Sequence, residues 1–148
     1  MFRGGWPRSI FMDKEIALEQ AFDYYDAIVN LDILRVDGIS RSPERAKNLM
    51  RSYARNIVTQ VSTETLKNDM INNDSTSLDT DTVLSYVSAL KKIFVDEESP
   101  AWNPNLRSKT VIRTSDTRYF VDPSIAVASL GIGSKDLIND LNTFGLIF

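Results

Sequence analysis

Apolar side chains return every three or four residues in four stretches of the chain, and this spacing predicts four amphipathic helices. The second is predicted to begin at Pro43 with Ser42 as its N-cap, because proline suits the first helical position and serine the cap. Its core-facing positions are Ala46, Leu49, Met50, Tyr53 and Ile57. The first is predicted over 13–30, and one of its faces carries Leu18, Phe22, Tyr25 and Val29.

Two helices are predicted on either side of the polar segment 72–79, which has no apolar period and is therefore predicted to be a loop. The earlier one is capped by Ser62 and packs Leu66 and Met70 over Val61. The later one, over 80–94, is the most regular in the chain. Its inward positions are Val83, Val87, Leu90 and Phe94. Its outward positions are Asp81, Ser85, Ser88 and Lys92.

Beyond residue 94 the apolar period shortens towards two, which is typical of strands. Segments 110–114 and 118–122 are predicted to pair as a hairpin around the turn at Ser115 and Asp116. Two helices followed by a hairpin is the order of a winged helix-turn-helix. The predicted fold class is therefore mainly α with a small β-hairpin (α+β), a winged helix-turn-helix preceded by two N-terminal helices.

The chain is expected to divide into three segments. Residues 1–61 form an N-terminal helical segment that packs on the core, and residues 62–130 form the winged-helix domain. That domain closes with a short helix that ends at Gly131, since glycine favours a helix C-terminus. The remaining residues, 131–148, form a C-terminal helix and an edge that leads to a missing domain. The apolar positions of this last helix, which starts at Ser134, are Leu137, Ile138 and Leu141.

Composition removes most catalytic chemistry. The 148 residues include no cysteine and no histidine, so disulfides, thiolate metal sites and histidine-based nucleophile pairs are excluded. We expect no enzyme activity, no cofactor and no metal site. No apolar run approaches the length of a membrane span, and the protein is expected to be cytoplasmic, without a membrane partner.

The net charge of −3 is unevenly spread along the chain. Residues 35–55 carry six basic and two acidic side chains, a net +4, and residues 61–100 carry three basic and eight acidic ones, a net −5. Residues 106–120 return to +3. A helix and wing that contact DNA would use the polar and basic side chains at Ser85, Ser88, Lys91, Lys92, Arg107, Lys109, Arg113 and Arg118.

DNA contact is the alternative, and the favoured interpretation is a non-catalytic winged helix that contacts protein. Arg3 and Trp6, which flank the glycine pair near the start, are candidate interface residues, and Trp6 is expected to dock on the core. The nearly uncharged stretch at the end of the chain is an expected interface with a missing domain, another protein or a second copy of this chain. Its candidate residues are Phe144, Leu146 and Phe148.

Six phrases at fixed order resemble the C-terminal region of prokaryotic AAA-type ATPases. They are FRGGWP (2–7), TVLSYV (82–87), AWNPNLRSK (101–109), IRTS (112–115), FVDPSIAVA (120–128) and TFGLIF (143–148). In that family a P-loop ATPase module precedes this region, which is a domain of unknown function with winged-helix character, and a nuclease-like fold often follows. The resemblance implies a coupling module whose partners are those missing domains.

The chain departs from the full-length family pattern in three ways. It has no P-loop, since GIGSKD (131–136) follows a helix and a P-loop must follow a strand. It ends where the family continues into the nuclease-like part. Its wing has Thr117 beside Arg118 where the family tends to place a lysine. ATP hydrolysis and nuclease chemistry are therefore not expected of this chain, and the wing lacks one phosphate contact.

Overall fold

The computed structural model describes residues 4–71, 77–100 and 116–148. The regular elements follow one another along the chain as α1 Lys14–Ala27, α2 Ile33–Arg35, α3 Pro43–Arg55, α4 Thr63–Ile71, α5 Thr80–Lys92, β1 Asp96–Ser99, β2 Thr117–Phe120, α6 Pro123–Leu130, α7 Ser134–Asn139 and α8 Leu141–Ile147. A 3₁₀ helix, Pro7–Phe11, precedes α1, and a π-helical turn, Ile28–Asp32, joins α1 to α2. None of the described helices is both long and apolar enough to cross a bilayer.

Helix α6 lies at the centre of the molecule. Six of its eight residues are buried, Ser124, Ile125, Ala126, Val127, Ala128 and Ser129. Both α1 and α3 pack directly on it. A short helix that is apolar around its whole circumference has to be enclosed by other elements. The core therefore joins the N-terminal helices to α6, which follows the sheet in the sequence.

The predicted starts of α3 and α4 are confirmed. Helix α3 begins at Pro43 after Ser42, and all five predicted core positions in and just after it are buried. The hydroxyl of Ser62 accepts a hydrogen bond from the backbone N–H of Thr65 at 3.1 Å, as an N-cap should. Together α4 and α5 form the helix pair that precedes the sheet, and the predicted α+β fold class is confirmed.

The sheet has two antiparallel strands, in which Asp96 pairs with Phe120 and Ser99 with Thr117. The second strand was predicted, over 118–122. Its predicted partner, 110–114, lies outside the described residues. Among the described residues the partner is β1, which the sequence did not predict because three consecutive acidic residues disfavour a strand.

Several predictions of which side chains point towards the core are wrong. Phe94 was predicted to point inward at the end of α5, but the helix ends at Lys92 and Phe94 is 80% exposed. Its φ of 57° turns the chain sharply into β1, which reverses the direction of its side chain. In α1 the bulky Phe22 is exposed, and the small Ala17 and Ala21 are buried instead. Small side chains allow α1 to approach α6 closely.

The end of the chain forms two helices where one was predicted. Asp140 separates α7 from α8 and caps the latter, since its carboxylate accepts a hydrogen bond from the N–H of Thr143 at 3.1 Å. Of the three apolar positions named for the predicted helix, Leu137 is buried. Ile138 and Leu141 are exposed because this break turns them outward.

Candidate interaction surfaces

On the outward face of α5, the positive charge of Lys92 is neutralised by an acidic residue of the same chain. Its ammonium group lies 2.8 Å from the carboxylate of Asp37, which also receives Arg41 at 2.9 Å. Hydrogen bonds from Arg41 and then Lys92 hold the pKa of Asp37 well below its ordinary value. Asp37 therefore stays ionised, and the charge of Lys92 is balanced within the chain.

Arg41 binds the outward face of α5 to the turn before α3. Its side chain is almost fully buried and donates to the backbone oxygen of Val36 at 3.1 Å and to the hydroxyl of Ser85 at 3.1 Å. Its guanidinium also lies 6.0 Å from the centre of the Tyr86 ring. Ser85, a candidate for DNA contact, is thus engaged by the protein itself.

At the same end of α5, the neighbouring lysine, Lys91, is neutralised by Glu98 on β1. This carboxylate receives Lys91 and, at 3.0 Å, the Nε of Arg118 on β2. Burial alone would raise the pKa of Glu98, but the hydrogen bonds from Lys91 and Arg118 outweigh it and lower the pKa. Arg118 also donates to the backbone oxygen of Val61 at 2.7 Å and lies over the ring of Tyr53.

Only some of the candidate DNA-contacting residues can therefore be placed, and most of those are bound by other residues of the chain. Those already engaged within the chain are Ser85, Lys91, Lys92 and Arg118. Ser88 is exposed on α5. Arg107, Lys109 and Arg113 lie outside the described residues. The described part of α5 and β2 presents no lysine or arginine without an acidic partner.

A cleft of about 620 Å³ lies beside Arg41, between the first turns of α3 and α5. It is lined by Ile39, Ser40, Arg41, Ser42, Arg45, Asp81, Thr82, Ser85 and Tyr86. Its hydroxyl groups could bind a small polar molecule. Arg41 already pairs with Asp37, and the remaining charged residues of the lining are one arginine, Arg45, and one aspartate, Asp81, so the cleft offers no net positive charge to an anion.

The N-terminal segment is fastened to the start of α6. The carboxylate of Asp122 accepts from the backbone N–H of Gly5 at 2.6 Å and from that of Ser124 at 2.8 Å. The indole N–H of Trp6 donates to the hydroxyl of Ser124 at 3.1 Å, and its ring lies 4.6 Å from that of Tyr24. The predicted docking of Trp6 on the core is confirmed. Arg3 lies outside the described residues.

Gly4 is required where the segment passes over α6. Its φ is +70°, and a Cβ at this position would lie 2.5 Å from the Ser124 hydroxyl. We expect Gly4→Ala to lower the free energy of unfolding by about 2–3 kcal/mol in urea titrations. Gly131→Ala is the matched control, because Gly131 shares the positive φ but has nothing within 4 Å. Equal losses in the two variants would contradict the close packing at Gly4.

The last two helices leave an apolar surface exposed, which we call the C-terminal surface. Ile138 is 62% exposed, Leu141 is 71% exposed and Leu146 is 57% exposed. Phe144 and Phe148 were candidate interface residues too, but they are half-buried against the core with ring centres 5.3 Å apart. They hold α8 in place, and the aliphatic side chains are left for contact.

Next to this surface lies a groove between α3 and the last two helices, with a volume of about 290 Å³. It is lined by Arg51, Arg55, Leu130, Ile132, Asp136, Leu137, Asp140 and Thr143. Arg51 and Arg55 are exposed and form no ion pair within the described residues. No pattern in the sequence indicates that a groove lies beside these arginines.

Asp96 is a second residue that sequence analysis missed. It is 5% exposed, one of its carboxylate oxygens has no hydrogen-bond partner among the described residues, and the other lies 3.4 Å from the hydroxyl of Tyr53. Burial, followed by the nearby charge of Glu98, raises the pKa of Asp96 to about 6. No pattern in the sequence distinguishes it from its exposed neighbour Glu97.

Among the described residues no three acidic, histidine or cysteine side chains are grouped to hold a metal ion. Searches of curated proteins and of solved structures found no match to the chain. Residues 1–136 match a family described as "Domain of unknown function (DUF8612)". Because the match covers most of the sequence, the chain belongs to this domain family.

Proposed function

We propose that this chain is a non-catalytic interaction module that binds another protein through its C-terminal surface. The observation that carries the proposal is the exposure of Ile138, Leu141 and Leu146 on two adjoining short helices. Clustered large apolar side chains are costly to leave in water, and such surfaces commonly mark protein contacts. The aromatic pair below them keeps this surface in place before a partner binds.

The state of α5 favours a protein partner over DNA. Affinity for DNA depends mainly on lysines and arginines that displace counterions from phosphates. Lys91, Lys92 and Arg118 would have to give up their pairs with Glu98 and Asp37 before they could do so. DNA binding by α5 and a basic wing is the weaker alternative, because it would rely on Arg107, Lys109 and Arg113.

The resemblance to the C-terminal region of AAA-type ATPases suggests the kind of partner. On that hypothesis the module couples a P-loop ATPase to a further protein or domain. The family description of this chain mentions no ATPase, so the hypothesis is supported by the sequence phrases alone.

Photo-crosslinking in cells tests the proposal. A benzophenone amino acid placed at Leu141 should form covalent adducts with protein, and the added substitution Ile138→Glu should greatly reduce them because it disrupts the same surface. The matched control is the same amino acid at Leu84, an apolar residue of α5 that is 45% exposed. Adducts at Leu141 no more abundant than those at Leu84 would contradict the proposal.

A further inference from the structure

The guanidinium group of Arg41, which lines the cleft between the first turns of α3 and α5, has one donor without a partner. One terminal nitrogen donates to the backbone oxygens of Ile33 and Val36, and the other donates to the hydroxyl of Ser85. Both also donate to the carboxylate of Asp37. The Nε atom is buried and has no acceptor among the described residues. A buried donor without an acceptor destabilises the folded state, so an oxygen atom supplied by a ligand would be favoured here.

Three hydroxyl groups of the same cleft are also uncommitted. Ser40, Ser42 and Thr82 line it, and none of their hydroxyl groups forms a hydrogen bond within the described part of the chain. Ser42 is the residue before α3, yet its side chain accepts no N–H of the helix. Since a hydroxyl group can both donate and accept, the cleft offers hydrogen bonds of both kinds to a ligand.

The size and the charge balance of the cleft suit an uncharged ligand. Its volume of about 620 Å³ lies within the range of about 300–1,000 Å³ that is typical of ligand pockets. Beyond the pair of Arg41 and Asp37, the charged lining consists of Arg45 and Asp81, so neither an anion nor a cation is favoured. Ile39, which is 48% exposed, adds an apolar side chain that could contact C–H groups of a ligand.

We propose that this cleft binds a small uncharged molecule rich in hydroxyl groups, of the class of sugars and polyols. Ser40, Ser42 and Thr82 exchange hydrogen bonds with hydroxyl groups of the ligand, and Nε of Arg41 donates to one of its oxygen atoms. Ile39 contacts the C–H groups that a sugar presents between its hydroxyl groups. The inference goes beyond the proposed function, because no residue of the C-terminal surface lines the cleft.

Two-dimensional ¹H–¹⁵N NMR of the full chain, titrated separately with D-glucose, maltose and sorbitol, tests this inference. At least one of these probes should shift the amide signals of residues 39–45 and 81–86 along a saturable curve, with a Kd of about 0.1–10 mM. Ser42→Ala with Thr82→Val removes two hydroxyl groups that form no hydrogen bond within the described chain, and should weaken binding about tenfold. Ser88→Ala with Thr63→Val is the matched control, because neither residue lines the cleft.

Sodium sulfate, added to the same samples, distinguishes an uncharged ligand from an anion. It should leave the signals of the cleft without a saturable shift, because the lining has no net positive charge to offer. The inference would be overturned if none of the three probes gave a localised, saturable shift up to about 100 mM, or if sulfate alone gave one. Equal weakening by the control pair would also overturn it. Crosslinking at Leu141 is independent of these outcomes, so the proposed function could stand without a ligand in the cleft.

Discussion

Replacing Asp96 by asparagine is expected to raise the free energy of unfolding at pH 8 by about 1–3 kcal/mol. The carboxylate is buried, and one of its oxygens has no hydrogen-bond partner in the described structure. A buried charge without full hydrogen bonding destabilises the folded state, whereas an amide of the same shape carries no charge.

The direction of the pH dependence follows from the raised pKa. The pKa of Asp96 is about 6 in the folded protein, against an ordinary value of 3.8. The folded chain thus holds this proton more tightly than the unfolded chain does. Stability should fall as the pH rises from about 4 to about 6, and the full loss is present above that range. Lys91, Arg118 and the hydroxyl of Tyr53 lower the pKa and only partly offset burial.

Urea unfolding at pH 4 and pH 8 measures this effect. Asp96→Asn should be more stable than wild type at pH 8 and similar to it at pH 4. Glu97→Gln is the matched control, because Glu97 is exposed on the same strand, and it should change neither value by more than about 0.5 kcal/mol. A variant at Asp96 that loses stability equally at both pH values would show that the carboxylate is favourably bound.

Arg41→Ala is expected to lower the free energy of unfolding by about 2–4 kcal/mol. The substitution removes both contacts to the Asp37 carboxylate, at 2.9 and 3.2 Å, and leaves the backbone oxygen of Val36 without its donor. It also removes the packing of a long buried side chain. The turn before α3 should then separate from α5.

Lys92→Gln is the control for this prediction because it removes a cation from the same carboxylate. Lys92 is 51% exposed, and an exposed ion pair contributes at most about 1 kcal/mol. Urea unfolding should therefore separate the two variants clearly. Equal losses would mean that the burial of Arg41 contributes nothing to stability.

Local sequence patterns predicted the helix ends well where a residue strongly favours one position in a helix. Ser42 and Pro43 mark the start of α3, and Gly131 ends α6 in the left-handed conformation that a C-cap needs. The core positions of α3 followed directly from its period. These features depend on residues within two turns of one another, which a sequence displays directly.

Contacts between distant residues could not be predicted. Arg41 reaches Ser85, 44 positions later, and Arg118 reaches Val61, 57 positions earlier. These contacts neutralise or occupy candidate DNA-contacting residues, which in the sequence look like free polar and basic side chains. The acidic strand β1 could not be predicted for the same reason. Its acidic residues disfavour a strand, but Lys91 and Arg118 offset the charge of Glu98 in the folded chain.

We propose that the module contacts protein and not nucleic acid, because the cations of α5 and β2 are neutralised within the chain. Fluorescence anisotropy of a random-sequence DNA duplex, titrated with the chain at about 50 mM and about 200 mM salt, tests it most directly. The account predicts no binding tighter than about 100 µM at either salt concentration. Micromolar binding that weakens steeply with salt and is lost in Arg107→Glu with Lys109→Glu would contradict it.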